Sequence, residues 1–197
     1  MLKKLALIGV CTATAFAMHN VELNINDKDL ELGAKLDMGQ FNHAVDPDTV
    51  FVGMKFLKAD KDHARPKDPD IKDYYELNFL MQRKVDNTGL TVGLGVKANH
   101  TEKFTTVPLG IEVKYKLPFT NTVPFYIGGS LYYAPQVLSM SDAKNYLEQR
   151  IQLDIEVIQN ATILIGARNI ETNYEVSGTT YDFRYNRSAY VGFRFAF

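Results

Sequence analysis

A chain of 197 residues with a formal net charge of -1 is of single-domain size and has no basic excess that would draw it to nucleic acid. Mean hydropathy is -0.18 and no apolar run reaches the roughly 18 residues a membrane-spanning helix needs, which excludes a helical bundle. The 13 Gly, 11 Tyr and 12 Phe, with no Trp, suit an alternating sheet with aromatic borders, either a soluble all-β domain or a membrane barrel.

The N-terminus carries an export signal. Lys3 and Lys4 precede the apolar run of residues 5–10, and Ala15-Phe16-Ala17 places small residues two apart, the layout of a signal peptide over residues 1–17. Cleavage after Ala17 leaves residues 18–197 as the mature domain. It also removes Cys11, the only cysteine, and with it any disulfide, thiolate nucleophile or cysteine metal site. Acylation of Cys11 is disfavoured by bulky Val10 and by the short apolar core before it.

Alternation of period two begins at once. Val21, Leu23 and Ile25 form the first apolar face, and Leu30, Leu32, Ala34, Leu36 and Met38 the second. A third strand over residues 49–58 has less regular faces, because Phe51 and Leu57 fall with Gly53 and Lys55. Residues 59–70, ADKDHARPKDPD, cannot pack a core and read as a solvated loop. Tyr75, Leu77, Phe79 and Met81 mark a fourth strand, and Leu90 to Ala98 a fifth after the Asp86-Asn87-Thr88-Gly89 turn. The hairpin TVPLGIEVKYKLPFTNTVPFYIGGSLYY, residues 106–133, holds the cleanest pair: an eleven-residue arm from Val107 to Leu117, then Phe125, Ile127, Leu131 and Tyr133. That arm is about the length of a tilted membrane strand and roughly twice the usual soluble one. An eighth strand spans residues 147–157 and a weaker ninth 162–170. Residues 171–186 read as a polar loop, and the tenth strand closes the chain on Val191, Phe193, Phe195 and Phe197.

The fold this predicts is an all-β, transmembrane, antiparallel up-and-down barrel of about ten strands, with eight as the alternative. Long polar links after strands three, seven and nine, against short turns after four, six and eight, match the long extracellular and short periplasmic loops of outer-membrane barrels. The short turn at Asp27 and the longer link before Thr49 depart from that pattern. Gly33, Gly53, Gly93, Gly95, Gly110, Gly128, Gly166 and Gly192 lie on the polar face, where a solvated strand gains nothing from them and a crowded lumen does. The apolar face is therefore assigned to lipid and the charged face to the interior. Tyr75, Tyr115, Phe119, Phe125, Tyr133 and Tyr190 are candidates for interfacial girdles.

Alternation places Lys35, Lys55, Lys97, Lys114, Lys116, Arg150, Arg168 and Arg194 in the lumen with Glu22, Glu31, Asp37, Glu76, Glu112, Glu148, Asp154 and Glu156. Of these, Glu112, Lys114, Lys116, Glu148, Arg150, Asp154, Glu156, Arg168 and Arg194 form the candidate charge network, in which Arg150 is expected to pair with Glu148 or Asp154. The balance of signs points to a salt-bridged interior or a narrow, weakly selective channel, since a selective pore biases its charges.

Catalysis and metal binding have thinner support. His63 or His100 with Asp62, Ser141 or Asp142 would be the material for a rim active site, while His19 and His43 fall on the inner side. Asp60, Asp62, His63, Asp68 and Asp70 would be the material for a cation site, but Ala64 and the missing Gly break the EF-hand spacing. No cofactor motif is present, and no catalytic or metal residue is assigned. A surface-binding module using loops around His63 and Tyr174 is a further alternative.

The segment YYAPQVLSMSDAKNYLEQRIQLDIEV, then ILIGARNI, then SAYVGFRFAF resembles the YfaZ family of outer-membrane proteins over residues 124–197. The resemblance implies a signal-bearing small barrel in the outer membrane of a Gram-negative bacterium, in contact with its lipid and lipopolysaccharide, and implies no catalytic residues. The closing Val191, Phe193, Phe195 and Phe197 are similar to the terminal signal read by the barrel-assembly machinery, which offers an apolar edge strand for pairing. Nothing in the sequence sets an oligomeric state.

Overall fold

The computed structural model describes residues 19–60, 73–102, 104–118, 123–140, 143–176 and 179–197; the side chains of residues 174–176 and 179–181 are outside that description. The expected signal peptide and residues 61–72, which include His63, therefore lie outside the described residues, as do Phe119, Ser141 and Asp142. The strands are β1 (Asn20–Ile25), β2 (Leu30–Asp37), β3 (Val50–Lys58), β4 (Tyr74–Val85), β5 (Leu90–His100), β6 (Thr105–Thr106), β7 (Leu109–Leu117), β8 (Phe125–Ala134), β9 (Ser139–Met140), β10 (Ala143–Ile158), β11 (Ala161–Val176) and β12 (Thr179–Ala196). β6 and β9 are two-residue pieces that pair with each other above the wall. The other ten form one antiparallel sheet closed by the β1–β12 and β4–β5 pairings, so the barrel has ten strands.

Closure removes the free edges that a lipid environment would leave unsatisfied. Asn20 pairs with Ala196, and the Phe197 N–H donates to the His19 carbonyl at 2.9 Å, so both chain ends sit on one rim. That rim, called inner here, also carries the turns at Asp86–Gly89 and Gln159–Asn160. There Gly89, at φ +78°, takes the left-handed conformation glycine tolerates best. Asp37 belongs to this rim rather than to an ion-paired lumen: its carboxylate accepts from the Gly39 and Asp48 N–H groups at 2.9 and 2.8 Å and ties down the β2–β3 link.

The outer rim is uneven. β1 has 6 residues, whereas β10 and β11 have 16 each and β12 has 18. Residues 171–176 and 179–186 thus correct the loop expected from sequence over 171–186: Thr172, Phe183 and Tyr185 are buried inward, while Glu171 and Arg184 form a 3.2 Å ion pair on the more exposed side. Beyond the lipid a sheet faces water outside and packs apolar groups inside, so the polarity of its faces reverses. A sequence reading that keeps the membrane polarity sees only a polar stretch.

Through the wall the apolar residues point outward. Leu94 is 66% exposed, Leu77 61%, Ile151 58% and Leu109 52%, and each of the ten wall strands contributes to this belt. A continuous apolar girdle of that extent has no place in water and marks a membrane-facing surface. Phe51 and Leu57 are the exceptions that blurred the third strand; both are buried inside, near the two ends of β3. The lumen glycines admit rings more than charges. A Cβ on Gly95 or Gly110 would collide with the Tyr132 ring, and one on Gly166 would meet the Tyr190 hydroxyl. Tyr190, a girdle candidate by sequence, is instead buried and donates to Gln152 Oε1 at 2.8 Å. Tyr75, Tyr115 and Tyr133 are exposed on the lipid face.

Candidate functional site: a lumen closed at one end

Inward alternation on ten strands brings the charges of distant segments together in layers. In the inner layer Arg194 donates to Glu22 at 2.8 and 3.0 Å and to Asp154 at 2.8 Å, and Lys114 reaches the same Asp154 oxygen at 2.9 Å. Lys35 lies 3.7 Å from Glu112, which also accepts from the Tyr132 hydroxyl at 2.6 Å. Glu156 accepts from Tyr126 at 3.3 Å. Lys116 is exposed at the inner rim and does not line the cavity.

The middle layer is drier and more tightly knit. Arg150 grips Glu31 through two 2.8 Å hydrogen bonds across the barrel, while Glu148 is 3.8 Å away and Asp154 is held by other cations. Of the two expected partners of Arg150, Glu148 is within ion-pair distance and Asp154 is not; the closer partner, Glu31, comes from β2, which only closure brings opposite β10. Arg168 meets Glu31 at 3.2 Å and Asp29 at 3.0 Å, and both Arg168 and Asp29 are bonded to Asn186. Lys97 sits between Glu148 at 2.7 Å and Glu76 at 3.2 Å, 4.0 Å over the Tyr132 ring. Charges this deep persist only when paired, because desolvation of an unpaired one costs several kcal/mol.

Above them lies an aromatic plug. Phe104, carried inward by the link between β5 and β6, is 1% exposed. Its ring centroid is 5.8 Å from Tyr146, 6.1 Å from Tyr185 and 6.4 Å from Tyr74. Leu57, Ala134, Ala143, Ile170 and Phe183 complete the cluster. A tight turn holds Phe104 in place, with its carbonyl accepting from Thr101 N–H at 2.9 Å and its N–H donating to Thr101 Oγ1 at 3.2 Å. The plug is joined to the charges below: Tyr74 and Tyr146 share a 2.8 Å hydroxyl contact, and Tyr146 donates to Glu148 at 3.0 Å.

Exposure follows these layers. The Lys114 side chain is 42% exposed, Lys97 4% and Arg168 1%. A cavity of about 430 Å³ occupies the inner part, lined among others by Glu22, Lys35, Glu112, Lys114, Asp154 and Arg194. The interior is a vestibule that opens at the inner mouth and reaches Glu76, Lys97 and Arg150 of the middle layer, beyond which lies the aromatic cluster. Sequence reasoning missed the plug because its residues come from seven separated segments; the one available signal was an isolated Phe104 in an otherwise polar link.

The histidines are apart from this site. His19 accepts from Asp37 N–H at 3.1 Å and stacks on Phe41, His43 is exposed on the inner link, and His100 contacts Thr105 Oγ1 at 2.8 Å on the surface. Among the described residues no three His, Cys, Asp or Glu side chains are grouped to hold a metal. Asp60, the described member of the acidic loop set, donates its backbone N–H to Asp29 at 2.8 Å. Tyr174 lies in β11 rather than in a loop. Val191, Phe193, Phe195 and Phe197 project outward into the belt, their strand paired on both sides.

A closed ten-stranded barrel with an apolar outside and an ion-paired inside defines a small membrane-facing β-barrel. The chain belongs to the YfaZ family: the model described as YfaZ precursor matches residues 5–197. No curated protein matches it. Among solved structures it is similar to the KdgM porin at 9% identity and TM-score 0.46, covering 91% of this chain and 98% of that one. It is also similar to the NanC porin at 10% identity and TM-score 0.42, covering 90% and 97%. A third likeness is to the Acinetobacter baumannii outer membrane protein Omp33, at 9% and 0.37, covering 92% and 98%.

Proposed function

We propose that this protein is a non-enzymatic barrel of the bacterial outer membrane, a narrow and weakly selective channel whose vestibule faces the periplasm and whose outer mouth is shut by Phe104. The apolar belt supports the membrane, and short turns beside both chain ends support a periplasmic inner rim. The observation that carries the channel reading is the fall in side-chain exposure along the lumen, from Lys114 to Arg168, ending at a buried aromatic cluster into which Phe104 is inserted from a link rather than from a wall strand. Passage would follow the side of Asn99 and Thr106, register partners whose buried amide and hydroxyl groups have no hydrogen-bond partner. The outward-facing Val191, Phe193, Phe195 and Phe197 fit the terminal strand read by the barrel-assembly machinery, and deleting Phe197 should leave protein in the periplasm for degradation.

Planar-bilayer recording tests the channel. The natural protein should show low or flickering conductance with weak ion preference, and Phe104→Ala should raise it to a steady level. Large, steady conductance in the natural protein would contradict the closed mouth. A Phe104→Ala barrel as silent as the parent would make this a structural surface protein.

A further inference from the structure

The charges of the vestibule balance in number but not in exposure. In each described ion pair along the cavity the cation is the partner nearer solvent: the Lys114 side chain is 42% exposed and that of Asp154 4%, and the same order holds for Lys55 over Glu76, Arg194 over Glu22 and, narrowly, Lys35 over Glu112. Asp154 thus sits behind the cations it holds, and the open space meets Lys114 and Arg194. Both reach the same Asp154 oxygen, at 2.9 and 2.8 Å, so their nitrogens flank one point of the wall. Lys35 is held more loosely. Its Nζ lies 3.7 Å from Glu112, the inward residue before Lys114 on β7, well beyond the roughly 2.9 Å of a charge-assisted hydrogen bond. The room in front of these cations is left by glycine. Gly33 and Gly128 line the cavity, and a Cβ on them would have no neighbour nearer than 3.8 and 3.4 Å, whereas Gly95, Gly110 and Gly166 are filled by tyrosine rings.

Lysine and arginine carry several donors each, so all three cations can keep a carboxylate and still donate to a ligand. A dianion with its oxygens on one centre suits them best. A phosphate monoester has about −1.5 to −2 charges at pH 7 and three acceptor oxygens, enough to bridge Lys114 and Arg194 and to turn Lys35 away from Glu112. A carboxylate offers one charge and two oxygens. The Ser130 and Thr162 hydroxyls and the Gln152 amide line the same cavity and suit a polyol carried by the phosphate. We propose that the vestibule binds a small phosphate monoester of a sugar or polyol, with its phosphate on Lys114, Arg194 and Lys35. Glu112 competes with the ligand for Lys35. The ligand arrives from the periplasm, which rests on the orientation of the inner mouth in the reading above.

Isothermal titration calorimetry of the refolded barrel in neutral detergent at low salt, with glucose 6-phosphate as the probe and glucuronate and glucose beside it, keeps the ring and changes the charge. Glucose 6-phosphate should bind, glucuronate several-fold more weakly and glucose not measurably. Lys114→Gln and Lys35→Gln should each weaken glucose 6-phosphate roughly tenfold, about the loss of one charge-assisted contact. Glu112→Gln should tighten it by releasing Lys35. Lys116→Gln, which removes an exposed cation outside the cavity, should leave it unchanged. Absence of glucose 6-phosphate binding, parental affinity in both Lys114→Gln and Lys35→Gln, or equal binding of glucuronate would overturn the site. An equal loss in Lys116→Gln would overturn it too, by reducing the attraction to diffuse surface charge. A Phe104→Ala barrel that is silent in bilayers but binds glucose 6-phosphate as described would contradict the channel and leave the site standing, and conductance without binding would do the reverse.

Discussion

In the inner half of the lumen Lys114 meets Asp154 at 2.9 Å with 42% of its side chain exposed; in the outer half Lys97 meets Glu148 at 2.7 Å with 4% exposed. The chemistry of the two pairs is the same and their distances nearly so. What differs is the layer of rings above Lys97, which excludes water and leaves the ion pairs to satisfy one another. An exposed pair is worth about 0–1 kcal/mol, whereas removing one partner of a buried pair costs about 3–5 kcal/mol. The two halves should therefore respond very differently to the same kind of substitution, and the outer half, not the charge count, should govern both stability and closure.

The largest effect is expected at Arg168, which is 1% exposed and answers two carboxylates. Arg168→Met should destabilise the barrel by about 3–5 kcal/mol in urea unfolding from lipid vesicles. A loss under 1 kcal/mol would place water around Asp29 and Glu31. Next comes the wall: Ile111→Arg should cost about 2–4 kcal/mol in the same assay, and Glu112→Gln much less. The reverse ranking would exchange the two faces. Gly110→Ala drives a methyl into the Tyr132 ring and the Leu131 carbonyl, an overpacking of about 1–3 kcal/mol, while Gly33→Ala, with its nearest neighbour at 3.8 Å, should be nearly neutral. Equal thermal shifts for the two would remove Tyr132 from its seat. The smallest effect is expected at Lys35→Met, about 0–1 kcal/mol, because Glu112 keeps its bond from Tyr132 and part of its hydration.

Strand number, direction and the two faces were legible because a two-residue period survives wherever lipid lies on one side and charge on the other. The resemblance first visible over residues 124–197 extends as a family match through nearly the whole chain. Legibility failed where that contrast ends. Residues 171–176 and 179–186 continue as strand under water-facing rules, Tyr190 lies among charges although its residue type suits a girdle, and Asp37 serves backbone N–H groups rather than a cation. Individual ion-pair partners were hidden for a further reason. Alternation says that Arg150 points inward, but its grip on Glu31 depends on the stagger of a closed sheet, which neither segment encodes alone.

A vestibule that opens only at its inner mouth is testable with one thiol. The expected mature chain lacks cysteine, so Lys114→Cys supplies a single thiol in the inner layer. In sealed vesicles with the barrel oriented either way, a small charged thiosulfonate in the bath should modify this thiol when the inner mouth faces the bath and leave it unmodified when the outer mouth does. Adding Phe104→Ala should allow modification from both sides. Equal labelling from both sides with Phe104 in place would contradict the closed lumen directly.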